Sequence, residues 1–137
     1  SGHIFFADKY YGFDDALYTS IRLLSLLAND VNLEKFISSL PKTFVSPEIK
    51  LQCSDRIKFT VINNISKNAL EDYSPENITI IDGVRAKNNF GWWLIRASNT
   101  EEALIIRFEG KSIEDKEELF LEVQKRLKKE GLTLEFN

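Results

Sequence analysis

Two apolar runs separated by five polar residues constrain this chain most. "WWLIRA" at 92–97 and "ALIIRFE" at 103–109 flank "SNTEE" at 98–102. Both runs have strand length and are rich in aromatic and β-branched residues. Parallel strands need a crossover of a dozen or more residues, so a five-residue connection forces an antiparallel pair. The rest of the chain must be built around that pair.

The neighbouring sequence extends the pattern. "ITII" at 78–81 is followed by Asp82-Gly83, a strong turn signal, and residues 84–87 form another short strand. "IKLQC" at 49–53 alternates and reads as a strand. Helical spacing appears in "DRIKFTVINNISKNAL", with Phe59, Ile62, Ile65 and Ala69 on one face. It appears again after Ser112-Ile113-Glu114-Asp115, which fits a capping-box pattern, with Leu119, Phe120, Val123 and Leu127 as the buried face. Gly131 suits the end of that helix, behind a basic last turn of Lys125, Arg126, Lys128 and Lys129. The predicted fold class is α+β, a small and mostly antiparallel sheet covered on one face by two helices.

The first 41 residues differ in kind. An extended segment at 3–7 precedes a helix in which Phe13, Leu17, Ile21, Leu24 and Ala28 repeat at helical spacing, with Asp14 and Asp15 in the first turn. A shorter helix at 33–40 stops at Pro41. Residues 42–48 read as a linker before a domain at 49–137. The chain lacks Met altogether and begins abruptly on "SGHIFF", which predicts a piece of something longer.

Composition excludes several roles. Hydrophobic residues make up 43%, enough for a core, and a net charge of −3 gives no global field for nucleic acid or anionic lipid. Cys53 is alone, so no internal disulfide is available, which suits a cytoplasmic location. No apolar run reaches the roughly 20 residues of a membrane span.

The SNTEE loop is the candidate site. Successive turn amides can form an anion nest, Ser98 and Thr100 add hydroxyls, Asn99 adds an amide, and Arg96 supplies a fork for two phosphate oxygens. Asn and Ser are also ordinary turn formers, and Glu101-Glu102 oppose an anion unless both point away. The residues alone therefore leave a plain turn open. Trp92 and Trp93 alternate across a strand, so one is core. Arg107 reads as a surface residue and Cys53 as inert.

A resemblance favours the anion. "DGVRAKNNFGWWLIRASNTEEALIIRFEG" resembles the final-domain signature of the α-D-phosphohexomutases, the bacterial phosphomannomutase/phosphoglucomutase group in particular. The resemblance extends over essentially the whole chain. It implies that Arg96, Ser98, Asn99 and Thr100 bind the phosphate of a sugar substrate. "SGH" at 1–3 is similar to the second half of the family's sugar-reading loop, which implies sugar contacts from Ser1 and His3; the glutamate that should precede Ser1 is missing. Residues 1–41 would then be a remnant of the third domain. The family transfers phosphate between the 1- and 6-positions of mannose or glucose through a bisphosphorylated hexose. Its phosphoserine and Mg²⁺ ligands lie in earlier domains, so this chain alone is expected to be inactive, with no catalytic or metal residue. Its exposed first helix predicts self-association through residues 3–41. The alternative is a non-enzymatic protein-interaction module.

Overall fold

The computed structural model describes residues 2–135. The chain divides into two compact units, Ser1–Pro41 and Lys42–Asn137.

The first unit holds helices α1 (Ala16–Ala28) and α2 (Leu33–Ser39). The extended segment expected at 3–7 contributes only a single antiparallel bridge, Phe5 to Asp14. Asp14 and Asp15 lie outside the first turn instead of within it. Asp15 is the N-cap of α1, and its carboxylate accepts the Tyr18 amide at 2.9 Å, filling one of the helix's orphan donors. An aromatic group closes over this entry: Tyr10 stacks on Tyr18 at 3.9 Å, and Phe6 meets Tyr18 edge-on at 5.3 Å. The apolar stripe of α1 stays open. No residue of the helix is buried, and Leu17 is 79% exposed.

The second unit contains β1 (Phe44–Val45), β2 (Ile49–Gln52), α3 (Lys58–Asp72), β3 (Ile78–Ile80), β4 (Val84–Lys87), β5 (Gly91–Ala97), β6 (Ala103–Gly110) and α4 (Ile113–Lys129). Every pairing is antiparallel, in the order β1–β6–β5–β4–β3, and β2 shares the same edge of β6 with β1. Helices α3 and α4 pack against the sheet. This is the expected α+β architecture. Trp93, Ile95, Leu104, Ile106 and Phe108 meet Ile65, Ala69, Leu119, Val123 and Leu127 in one cluster. Each large side chain buried there contributes roughly 1.5–3 kcal/mol.

Residues 42–48 are not free of the sheet, because they include β1. Pro47 has no N–H to donate, so it interrupts the edge strand. Ser46 repairs the break: its amide donates to the Phe108 carbonyl at 2.8 Å, and its hydroxyl accepts the Phe108 amide at 3.0 Å. A proline alone reads as a linker, whereas here it marks the joint between two pieces of one edge.

Helix α3 also turns differently from the expectation. Val61, Ile62, Ile65 and Ala69 are buried, while Phe59 is 55% exposed. Helix α4 is capped by Ser112, which accepts the Asp115 amide at 3.0 Å. In its last turn Arg126 is buried instead of solvated. Its guanidinium bonds Glu122 at 2.8 Å and Asp72 at 2.9 Å, and it lies 4.9 Å from the centre of the Trp93 ring. The Trp93 indole in turn donates to the Tyr73 hydroxyl and to Glu122, both at 3.1 Å. The Tyr73 phenol is pushed up by burial first and by its bond to Glu122 second. Removing the cation leaves the part-buried Glu122 without its counter-charge. Arg126→Ala should therefore lower the unfolding free energy by about 2–3 kcal/mol, the scale of charged hydrogen bonds. Urea denaturation followed by Trp fluorescence measures it, and an unchanged midpoint would show that the network adds nothing.

Candidate functional site

Strand β5 alternates strictly. Trp93, Ile95 and Ala97 are buried, which places Trp92, Leu94 and Arg96 on the opposite, helix-free face. Arg96 is the last of these, next to the loop at 98–102. Its side chain is 35% exposed, with Nη1 at 3.7 Å from the Asp82 carboxylate. The Asp82-Gly83 turn presses close: Gly83 has φ +125°, and a Cβ there would stand 2.6 Å from the Arg96 Cα. A shallow hollow of about 190 Å³ lies between Arg96 and Arg85, with Leu94 and Ile81 in its wall.

The loop is organised by Ser98. The Ser98 amide donates to the Ala103 carbonyl at 2.9 Å, closing the hairpin. The Ser98 hydroxyl oxygen accepts the amides of Thr100 at 3.3 Å and Glu101 at 3.1 Å. Those two amides therefore point at Ser98 and not outward as a nest would require. The hydroxyl keeps its own proton to donate. Asn99 and Thr100 stand exposed beside it.

Glu101 turns towards β2 and Glu102 towards the segment before α3. Glu101 pairs with Lys50 at 2.7 Å, and the Glu102 carboxylate accepts the Asp55 amide at 3.3 Å. Their charge is engaged on the β2–α3 side of the loop. The same side holds Lys58, which the sequence reading did not single out. Lys58 is 3% exposed, and its ammonium donates to the carbonyls of Ser98 at 2.7 Å and Glu101 at 3.1 Å and pairs with Asp55 at 2.5 Å. One sequence signal was available. A lysine in the first turn of a helix opposes the helix dipole, so it needs another reason to be there.

Arg107 is the second difference. It lies opposite Leu94 in the β5–β6 register, two residues along the strand from the Ile105 that faces Arg96. It is half-buried, and its Nε is buried with no hydrogen-bond partner among the described residues. A buried guanidinium N–H without an acceptor is costly, and this one is closed to solvent. Trp92 shares the face under the Arg85 guanidinium, 4.7 Å from its ring centre, while Trp93 belongs to the core.

The other expected contacts belong to the first unit. Ser1 lies outside the described residues. His3 is exposed, with Nε2 at 3.6 Å from the Asp14 carboxylate. Nearby, the bond to Asp15 is the chief cause that pushes the Tyr10 phenol up to about 12.

Two other features are structural. A hollow of about 480 Å³ is lined by Asp72, Tyr73, Glu122 and Arg126, about 20 Å along α3 from Lys58. These groups already bond one another. Burial pushes the Cys53 thiol up, against a smaller opposing effect of Lys58, so it stays a thiol at neutral pH. Among the described residues no group of three or more His, Cys, Asp or Glu could hold a metal ion, and no helix is long and apolar enough to cross a membrane.

Comparison with known proteins gives the family of the chain. A family profile described as phosphoglucomutase/phosphomannomutase, C-terminal domain, matches residues 48–130. The chain is 41% identical over 113 residues to a phosphomannomutase/phosphoglucomutase of Pseudomonas putida, covering 82% of this chain and 24% of that protein. It is 38% identical over 111 residues to a phosphoglucomutase of Neisseria meningitidis, covering 80% of this chain and 24% of that one. A crystal structure of a phosphoglucomutase/phosphomannomutase family protein from Burkholderia thailandensis superposes with a TM-score of 0.79 at 34% identity, over 98% of this chain and 28% of that chain. The chain thus spans about a quarter of the length of the curated relatives it matches. By a profile match over more than half its length, it belongs to the phosphoglucomutase/phosphomannomutase C-terminal domain family.

Proposed function

We propose that residues 42–137 hold the phosphate of a phosphorylated hexose, as the last domain of a cytoplasmic enzyme that interconverts hexose 1-phosphate and hexose 6-phosphate. Mannose and glucose are the sugars in view, because the relatives are named for both. The observation that carries this reading is the direction of the two glutamates. Glu101 and Glu102 are engaged by Lys50 and the Asp55 amide, so the loop's own carboxylates do not oppose an anion beside Arg96. Arg96 offers a planar fork to two phosphate oxygens, Ser98 a hydroxyl proton, and Asn99 and Thr100 exposed donors. Arg107 adds a second positive charge on the same sheet face. Such a site positions a substrate and neutralises its charge, which is most of what phosphoryl transfer asks of a protein.

The chemistry itself belongs to other parts of the enzyme. The resemblance implies a phosphoserine donor, a bisphosphorylated hexose intermediate and Mg²⁺. The described residues do not fit the ion, and no step of this proposal runs through it. Ser1 and His3 are assigned to the sugar-reading loop by that resemblance alone.

A second reading concerns the first unit and rests on its exposed stripe. Leu17, Ile21 and Leu24 are each more than 60% exposed. Apolar patches of this kind seldom face water in soluble proteins. The chain self-associates through residues 3–41, by the same helix meeting across a two-fold axis.

In the full-length enzyme, Arg96→Ala should lower kcat/KM by about a hundredfold, for two lost charge-assisted bonds, and leave the melting temperature nearly unchanged. Arg96→Lys should recover only part of this, because a point charge does not replace the fork. Near-normal turnover of the alanine variant would remove Arg96 from the site. Residues 1–137 alone, given Mg²⁺ and a bisphosphorylated hexose, should convert no mannose 1-phosphate to mannose 6-phosphate; measurable conversion would place the whole machinery in this chain. Sedimentation should show a species above the 15.8 kDa monomer that disappears when residues 1–41 are deleted. A strictly monomeric chain at high micromolar concentration would exclude association through α1.

A further inference from the structure

Lys58 is a feature that a plain hairpin does not require. Lysine is almost never fully buried, because its ammonium loses hydration that only good partners can replace. Here the three donors have three acceptors: the Ser98 carbonyl at 2.7 Å, the Glu101 carbonyl at 3.1 Å and Asp55 at 2.5 Å. Two of the three are backbone carbonyls of the candidate loop. An exposed turn would leave such carbonyls to water, at no such cost.

The geometry has a consequence on the other side of the loop. A trans peptide is planar, with C=O and N–H pointing in opposite directions. The Ser98 carbonyl points to Lys58, so the Asn99 amide of the same peptide points away from it. The Glu101 carbonyl does the same for the Glu102 amide. Lys58 thus gathers the negative ends of two peptide dipoles behind the loop and leaves positive ends in front. A unit charge also sits behind the loop, moderated by Asp55, whose side chain is 61% exposed. The lysine is anchored on α3, whose Ile62, Ile65 and Ala69 are packed in the core, so the loop takes its orientation from the rigid part of the fold.

We propose that Lys58 is the positioning residue of the anion loop: its ammonium takes the Ser98 and Glu101 carbonyls so that the Asn99 amide faces the phosphate bound by Arg96. This rests on the phosphate reading of the loop. Asp55 holds Lys58 in place but also subtracts charge from the site.

The test uses the ¹⁵N-labelled 137-residue chain titrated with inorganic phosphate and, separately, with mannose 6-phosphate. In the unmodified chain the amides of residues 96–100 should shift, Asn99 foremost. Lys58→Met, of similar length but uncharged, should keep the resonances of the sheet and α4 while phosphate binding weakens by about tenfold. Asp55→Asn should tighten it by about twofold to threefold, because a carboxylate is removed while the lysine stays. In Lys58→Met the phosphate-induced shift of the Asn99 amide should also shrink relative to that of Arg96, which a merely structural role has no reason to produce. If Lys58→Met folds and binds phosphate as the unmodified chain does, the positioning role is wrong and the phosphate reading survives. If the unmodified chain ignores phosphate, the phosphate reading fails and the positioning role falls with it. Should Lys58→Met not fold, Asp55→Asn decides: unchanged or weaker binding overturns the proposal.

Discussion

The register of β5 is the constraint on which the rest depends. Trp93, Ile95 and Ala97 face the helices, and a slip of one residue would expose all three and bury Arg96. Trp93 makes such a slip expensive, because its ring is wholly buried and its indole N–H is spoken for by Tyr73 and Glu122. The core therefore decides where the cation stands. Arg96 needs no special device to reach the open face; it is there because the tryptophan three residues earlier is not.

Much of this was legible in the sequence because it follows from local periodicity. The apolar runs with a five-residue connection give the hairpin, the serine before α4 gives its cap, and the Asp82-Gly83 turn gives the β3–β4 corner. The misread elements share a cause, since each is decided by a partner distant in sequence. Pro47 reads as a linker until Ser46 is seen bonding Phe108 across the sheet. Phe59 and Val61 fit the helical stripe about equally well, and the surface they meet chooses between them. Arg126 is one of several bases in a last turn, and only Asp72 and the Trp93 ring make it a core residue.

The candidate site was half legible for the same reason. Its front could be read, since Arg96, Ser98, Asn99 and Thr100 are consecutive or nearly so. Its back could not. Lys58 lies 40 positions from Ser98 in the chain, and the direction of Glu101 and Glu102 depends on Lys50 and on the backbone of Asp55. A strand-borne arginine normally projects to solvent, whereas the Nε of Arg107 is enclosed. The expected nest of successive amides also changed character, because Ser98 uses two of those amides to brace the turn.

Electrostatics of the loop thus separate into two layers. Behind it, Lys50 pairs with Glu101, Lys58 pairs with Asp55 and takes the inward carbonyls of the turn, and Glu102 is held by the Asp55 amide, so the carboxylates of that side are drawn away from the front of the loop. In front, the remaining charge is positive: Arg96 is held loosely by Asp82, and Arg107 and Arg85 stand on the same sheet face. A net charge of −3 for the whole chain is compatible with this, because the sorting is local. The same sorting explains why the larger hollow near Arg126 does not compete as a binding site. There, cation, carboxylates, phenol and indole are already joined to one another, and a ligand would have to break a satisfied network to enter. At the loop the network stops at the backbone, and the outward donors are what is left over.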